Sequence, residues 1–334
     1  MAEERKEKLI RVLQILETTD EKTPMNANAI VERLQNTYGM EKADRRSIYR
    51  DIRLLQQCGY DICQNNDKKS GWYMEKHVLE DWEIKIMFDA IQQAKCISVK
   101  EAKNIKEKLL SLTSQRGRSR FSHMIMPVPH NVKDSTSIGV YIETMIEAMY
   151  IHRKIRFQYT ETDEMMKKVL RKDGKFYELN LYAIYWSDNN YYLIGSHDKY
   201  DGLTNYRLDR VENLMMSEET MVMPDKKLGV NPELIIQKYI EDSVDHFSGK
   251  TIRIELEYEP GQASNAILYD FAGDKIIVRK LKNGKCHASF TKMDSIMLAG
   301  WFMQYADMFK VIRPEKLRNE IIDKMTRTIE MYKD

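Results

Sequence analysis

The chain has 334 residues, 43% of them hydrophobic and 31% charged. That is the balance of a water-soluble globular protein with two or three hydrophobic cores rather than one. The net charge of +2 is near neutral, so only local clusters can point to a polyanionic partner. No apolar run approaches the roughly 20 residues that span a bilayer, and the N-terminus MAEERKEKLIRVLQIL has no small-residue cleavage site, so a cytoplasmic location without membrane contact is expected. The four cysteines stand apart, with no Cys-x-x-Cys pair and no Cys/His cluster at metal-ligand spacing. They read as reduced thiols, and neither a metal nor a cofactor is expected.

Leu9, Val12, Leu13 and Leu16 recur at helical spacing and predict a first helix from about Glu4 to Thr18. Asn26 can cap a second, carrying Ile30, Leu34 and Tyr38, which Gly39 ends. Asp44 can cap a third, Arg45 to Gln57, closed by Gly59. Two short strands follow, Tyr60–Gln64 and Trp72–Met74, joined by a polar tip that holds Lys68 and Lys69. Three helices and then a hairpin is the order of a winged helix-turn-helix.

Two more helices are predicted over 78–115, the second with a capping box at Ser98 and Glu101. The stretch from Ser114 to about Ser137, with Gly117 and two prolines, reads as a linker. A helix over Gly139–His152 leads into period-two segments at Ile155–Tyr159, Leu179–Tyr185, Tyr191–Ser196 and Asn205–Leu214, the pattern of a small β-barrel. The last part reads strand, helix, two strands, helix, and then a terminal helix from Pro314 to Tyr332.

On the third helix, Arg46, Arg50 and Arg53 fall within about 60° of one another, opposite Ile48, Ile52 and Leu55. One face packs on the first two helices, and the other presents guanidinium forks that match guanine edges or phosphate. Arg45, Arg46, Ser47 and Tyr49 lie toward the helix N-terminus, the end that enters the major groove in this motif. Arg46, Ser47 and Arg50 are therefore the candidates for base edges and Arg53 for phosphate, while Lys68 and Lys69 at the hairpin tip reach a flanking phosphate or minor groove.

Three motifs carry a resemblance. Arg46-Ser47-Ile48-Tyr49-Arg50-Asp51-Ile52, Asn190-Tyr191-Tyr192-Leu193-Ile194-Gly195 and Tyr206-Arg207-Leu208-Asp209-Arg210-Val211 stand in the order found in bacterial winged-helix transcriptional regulators that carry a WYL domain. Tyr191 stands where tryptophan is usual. The resemblance covers essentially the whole chain. It implies an α+β multidomain protein: a winged helix-turn-helix over 1–76, a helical connector over 77–138, a small Sm- or SH3-like barrel over 139–224 that senses an effector, and a ferredoxin-like C-terminal (WCX-type) extension over 225–334 used for dimerisation. It also implies a homodimer on a double-stranded DNA operator, with a nucleic acid or nucleotide as effector.

The residue chemistry is compatible with that effector. Tyr182, Tyr191, Tyr192, His197, Arg207 and Arg210 offer stacking faces and anion donors. Strand alternation puts Tyr192 on the face opposite Tyr191 and Leu193, and Arg207 with Asp209 opposite Leu208 and Arg210, so one pocket cannot take them all. Each tyrosine is equally at home as a packing residue, and Asp209 is a natural partner for an arginine.

No catalytic motif is present, and no enzyme activity is expected. The basic run Gln115–Arg120 resembles only weakly the adenylate loop of DNA-binding biotin protein ligases. A single-stranded DNA- or RNA-binding accessory factor is the remaining alternative to a regulator.

Overall fold

The computed structural model describes residues 2–65, 71–94, 97–122 and 138–333, in two compact units, Met1–Thr136 and Ser137–Asp334. The first begins with α1 (Ala2–Leu16), α2 (Ala27–Tyr38) and α3 (Arg45–Gln57), followed by an antiparallel hairpin of β1 (Ile62–Gln64) and β2 (Trp72–Met74). Local chemistry sets the helix starts: Asn26 accepts the Ala29 N–H at 2.9 Å, and Asp44 accepts that of Ser47 at 3.0 Å. Gly39, at φ 67°, ends α2 in the left-handed conformation. Val12, Ile15 and Leu16 meet Ile30, Leu34, Ile48, Ile52 and Leu55 in one core, closed by Trp72. Each such burial is worth about 1.5–3 kcal/mol.

The same unit continues with α4 (Asp81–Gln93), α5 (Val99–Leu110) and α6 (Gln115–Ser122). Ser98 and Glu101 form the expected capping box of α5. The start of the predicted linker is instead the helix α6. Its sequence holds a single large apolar residue, Phe121, and tertiary contacts supply what periodicity lacks. Phe121 is buried edge-on to Phe88 with centroids 5.3 Å apart. Gly117 lies so close to Thr113 and Asp81 that a Cβ would collide with both. The α5–α6 turn is fastened to the α1–α2 turn: Ser114 Oγ donates to Asp20 at 2.9 Å, and the Gln115 N–H donates to the Thr18 carbonyl at 2.9 Å. The rest of the predicted linker, 123–137, and the hairpin-tip residues Lys68 and Lys69 lie outside the described residues.

The second unit opens with α7 (Ile138–Tyr150). A curled antiparallel sheet comes next, of β3 (Arg153–Thr162), β4 (Lys168–Leu170), β5 (Tyr177–Ser187), β6 (Asn190–Ser196), β7 (Thr204–Arg207) and β8 (Val211–Thr220). The strands run β4-β3-β5-β6-β7, with β8 also paired to β3. Met145 and Ala148 of α7 seal a core of Ile155, Phe157, Leu179, Leu181, Leu193, Tyr206 and Leu208. The predicted continuous strand Asn205–Leu214 is broken, because Leu208–Arg210 forms a 3-10 turn between β7 and β8.

Helices α8 (Pro224–Leu228) and α9 (Pro232–Asp242) lie beyond the sheet in the chain. The last elements are β9 (Lys250–Tyr258), α10 (Gln262–Ala272), β10 (Ile277–Lys280), β11 (Cys286–Asp294), α11 (Leu298–Gln304), β12 (Phe309–Arg313) and α12 (Glu315–Met331). The sheet order is β10-β11-β9-β12, antiparallel throughout. The five-residue β12, which no sequence pattern announces, completes a β-α-β-β-α-β unit by pairing with β9. Both faces of β6 are covered: Leu193 enters the core under α7, while Ile194 packs with Tyr239 of α9 and Met293 of β11.

Two features of the curled sheet have measurable consequences. Gly195 crosses β5 where its register shifts between Leu181 and Ala183, and a Cβ there would strike the Asn180 carbonyl. Gly195→Ala is expected to cost roughly 1–3 kcal/mol of unfolding free energy through overpacking, read from the urea midpoint. Lys154, with a 6% exposed side chain, sits between Asp198 at 2.6 Å and Glu219 at 2.5 Å. The Lys154 ammonium, and then the Asn180 amide, hold the Asp198 carboxyl below its ordinary range. Its stabilising effect is therefore present above about pH 4 and lost as pH falls through the depressed folded value. Asp198→Asn should lower the urea midpoint modestly at neutral pH, by about 1 kcal/mol or less because the carboxylate is half exposed. The gap to the parent protein should close in strong acid, and a gap that persists there would assign the effect to packing.

Candidate functional site

The outward face of α3 is a row of bare guanidinium groups. Arg46, Arg50 and Arg53 are exposed, and none has a hydrogen-bond or ion-pair partner among the described residues. The nearby acid Asp51 is taken by Lys8 at 2.9 Å, where both side chains are 16% exposed, so it does not quench the row. Arg45 leans back on the helix, donating to the Tyr49 hydroxyl at 3.3 Å. Tyr49 is half-buried, edge-on to Trp72 at 5.0 Å. Beside the N-terminal end of α3 lies a cleft of about 390 Å³ lined by the cations Arg5, Lys8, Lys42 and Arg50 and by the carboxylates Glu4, Asp44 and Asp51. Arg5 and Lys42 escape a reading of the sequence, because they come from α1 and from the α2–α3 turn and meet α3 only in the fold.

One predicted base reader is corrected. Ser47 is only 7% exposed, and its Oγ donates to the Asp44 carbonyl at 2.7 Å. It belongs to the helix cap and cannot reach a base edge. The positive end of α3 is likewise already occupied. The Asp44 carboxyl accepts the Ser47 N–H, which holds it below its ordinary range. An incoming anion therefore meets the arginine row rather than the helix terminus.

In the second unit, a second basic cluster surrounds the 3-10 turn. Arg207 forms a two-pronged pair with Asp209, Nε to Oδ1 at 3.0 Å and Nη2 to Oδ2 at 2.9 Å, and Nη2 also donates to Asn190 at 3.3 Å. The Asp209 bonds raise the guanidinium pKa further, so Arg207 stays charged. Its backbone N–H donates to the Tyr159 hydroxyl at 3.1 Å. Lys168 donates to the Asp209 carbonyl at 3.0 Å, and Arg210 is exposed. Of these three cations only Arg207 is paired with the Asp209 carboxylate. Opposite Arg207 in the β6–β7 register lies Tyr192, 5% exposed. Its ring stacks on His246 at 3.9 Å and on Tyr185 at 5.3 Å. His246 joins the Tyr185 hydroxyl through Nδ1 at 2.8 Å and Asp188 through Nε2 at 2.7 Å.

Family models locate this geometry. Residues 140–216 match the WYL domain and residues 250–329 the WCX domain. The chain carries a WYL domain followed by a WCX domain. Among solved structures it is similar to Proteasome accessory factor B/C (PafBC) of Arthrobacter aurescens, at 15% identity and a TM-score of 0.31, over 98% of this chain and 49% of that one. It is also similar to a protein described as CRISPR Cas-related, at 12% identity and a TM-score of 0.42, over 92% of this chain and 78% of that one. The chain thus spans about half the length of PafBC. No curated protein matches it.

Within the WYL domain the six predicted effector residues separate. Arg207 and Tyr192 come together, and Arg210 projects from the adjoining turn. Tyr182 does not join them: it is 9% exposed, and its hydroxyl is engaged by Ser196 at 2.8 Å and by the Val222 carbonyl at 2.9 Å. His197 has both ring nitrogens engaged, by the Glu178 carbonyl at 2.7 Å and the Tyr206 hydroxyl at 2.8 Å. Both are corrected to supports of the sheet. Tyr191 lies on the other side of β6 from Tyr192 and meets Trp186 edge-on at 4.7 Å. The WYL-domain residues missed from sequence are Lys168, on a three-residue strand without periodicity, and Tyr159, whose alternating strand signalled only packing. His246 falls just before the WCX domain, in a segment without a readable pattern.

Proposed function

We propose that this WYL-domain protein is a sequence-specific DNA-binding transcriptional regulator whose WYL domain senses an anionic effector, a nucleic acid or nucleotide. The observation that carries the reading is the bare arginine row on α3, opposite a fully buried apolar face. A guanidinium with no internal partner is free to pair with guanine edges and phosphates. We read the three helices and hairpin as a winged helix-turn-helix that places α3 in the major groove. The curled sheet is read as a small Sm- or SH3-like barrel and the C-terminal unit as a ferredoxin-like fold serving dimerisation. A single recognition helix per chain reads a two-fold operator only as a pair, hence a homodimer. The protein acts by binding rather than catalysis, in the cytoplasm; among the described residues no helix is long and apolar enough to cross a membrane.

Arg207, Arg210 and Lys168 supply the effector's anion contacts, and the buried Tyr192 ring, stacked on His246, backs Arg207 from the neighbouring strand. Selection of bound sequences from random duplexes by the full chain, with and without short oligonucleotides, tests both halves. A two-fold-symmetric site whose occupancy shifts with oligonucleotide is expected. Binding to single strands alone would sink the regulator reading in favour of an accessory factor.

A further inference from the structure

The basic charge of this protein is not concentrated on α3. Between Val99 and Ser122 seven lysines and arginines stand against two glutamates, although the whole chain is only +2. Beyond its first residue Val99, the exposed positions of α5 are Lys100, Lys103, Asn104, Glu107 and Lys108, the i, i+3, i+4, i+7, i+8 pattern of one continuous helix face. Ile105, Leu109 and Leu110 turn away from it, with Leu110 in the core beside Phe88. The ammonium groups of Lys100, Lys103 and Lys108 have no ion-pair or hydrogen-bond partner among the described residues. Glu107, one turn beyond Lys103, makes no ion pair with it, and the other acid, Glu101, is consumed by the Ser98 capping box.

Two of the three arginines of α6 have structural duties. Arg118 Nε donates to the Leu110 carbonyl at 2.6 Å, and Arg120 pairs with Asp81 at 2.7 Å. The first bond ties α6 to the end of α5 and the second ties it to the start of α4, and the Arg116 guanidinium is left uncommitted.

We infer that the exposed face of α5 is a second nucleic-acid contact, one that takes the sugar–phosphate backbone without reading bases. Lysines on a flexible stem suit phosphate as point charges and carry no base code. Lys100 to Lys108 span about 12 Å of helix at 1.5 Å per residue, against duplex that carries one charge per roughly 1.7 Å. A phosphodiester run is thus the partner whose charge density matches a face that the protein leaves unneutralised. The contact is coupled to the reading head, because Ser114 and Gln115, just beyond α5, bond the α1–α2 turn at Asp20 and Thr18. The inference rests on the reading of the chain as a nucleic-acid-binding protein. The phosphodiester is that of duplex flanking the operator, because the same turn bonds tie α5 to the unit that carries the arginine row.

The test uses the full chain and its Lys100→Gln/Lys103→Gln/Lys108→Gln variant, with fluorescence anisotropy across a salt series. Three probes are used: the selected duplex with long flanks, the same duplex trimmed to its core, and a single-stranded oligonucleotide. Each lost phosphate contact flattens the slope of log K against log salt by about 0.9 on duplex and about 0.7 on single strand. The variant is therefore expected to show a slope shallower by about 2–3, with discrimination between cognate and scrambled duplex unchanged. A change confined to the flanked duplex supports operator flanks as the occupant, and one confined to the single strand overturns that assignment. Identical slopes on all three probes, in a variant that unfolds at the parent temperature, overturn the inference. The α3 variants Arg46→Ala and Arg50→Ala run alongside. If they keep full discrimination while the lysine variant loses slope, the α3 reading fails and this one stands.

Discussion

Arg46→Ala or Arg50→Ala is expected to cost roughly 1–3 kcal/mol of discrimination between the cognate duplex and a scrambled one, with the fold unharmed. The two halves of this expectation have separate physical grounds. Each guanidinium is exposed and without an internal partner, so its removal breaks no intramolecular bond, and surface changes of that kind move stability by about ±0.5 kcal/mol. On the DNA side, a lost two-pronged contact leaves a guanine edge unpaired. Ser47→Ala should behave in the opposite way. It removes a bond from the α3 cap and is expected to lower stability by about 0.5–1.5 kcal/mol while leaving base preference intact. Competition binding at one fixed salt concentration, with thermal melts of the same proteins, separates the two patterns. Equal discrimination by the parent, Arg46→Ala and Arg50→Ala proteins would show that α3 does not read DNA.

The second large effect is expected at Asp209. Its carboxylate occupies both prongs of Arg207, so an anionic effector that uses this guanidinium must first displace it. The pair is about one-third exposed on either side, 33% and 29%, which places its strength near 1 kcal/mol, between surface and buried pairs. Asp209→Asn removes the competing charge and keeps the shape. It is expected to tighten binding of a short single-stranded oligonucleotide to the full chain by about fivefold, matching that energy. Arg207→Ala should weaken binding, and the double variant should resemble Arg207→Ala. If Asp209→Asn binds more weakly than the parent, then Asp209 aims the arginine rather than blocking it.

Much of the N-terminal unit was legible because its determinants are local. Asn26, Asp44 and Ser98 cap within three residues of themselves, and the apolar repeats of α1 to α3 are long enough to fix their faces. The alternation of β3, β5 and β6 was legible for the same reason. What failed was tertiary in origin. Helix α6 depends on Phe121 meeting Phe88 and on Gly117 fitting beside Asp81. The 3-10 turn at Leu208 interrupts a stretch that reads as plain alternation, and β12 is five residues whose only justification is the edge of β9. Ser47, Tyr182 and His197 carry the right groups for recognition, but a sequence cannot say that their polar atoms are already used. Tyr192 meets His246, 54 positions later, and no periodicity spans that distance.

The double burial of β6 bears on how this protein can be dissected. A piece of the chain ending after β8 would strip Tyr239 and Met293 from Ile194, and the His246 ring from Tyr192. Water would then meet a strand built for an interior, at a penalty of about 1.5–3 kcal/mol for each large side chain laid bare. The WYL domain is a unit of sequence, but one wall of its fold is supplied by α9 and β11. Pieces cut at the sequence boundary would report the loss of that wall, and an affinity measured on them would mix recognition with unfolding.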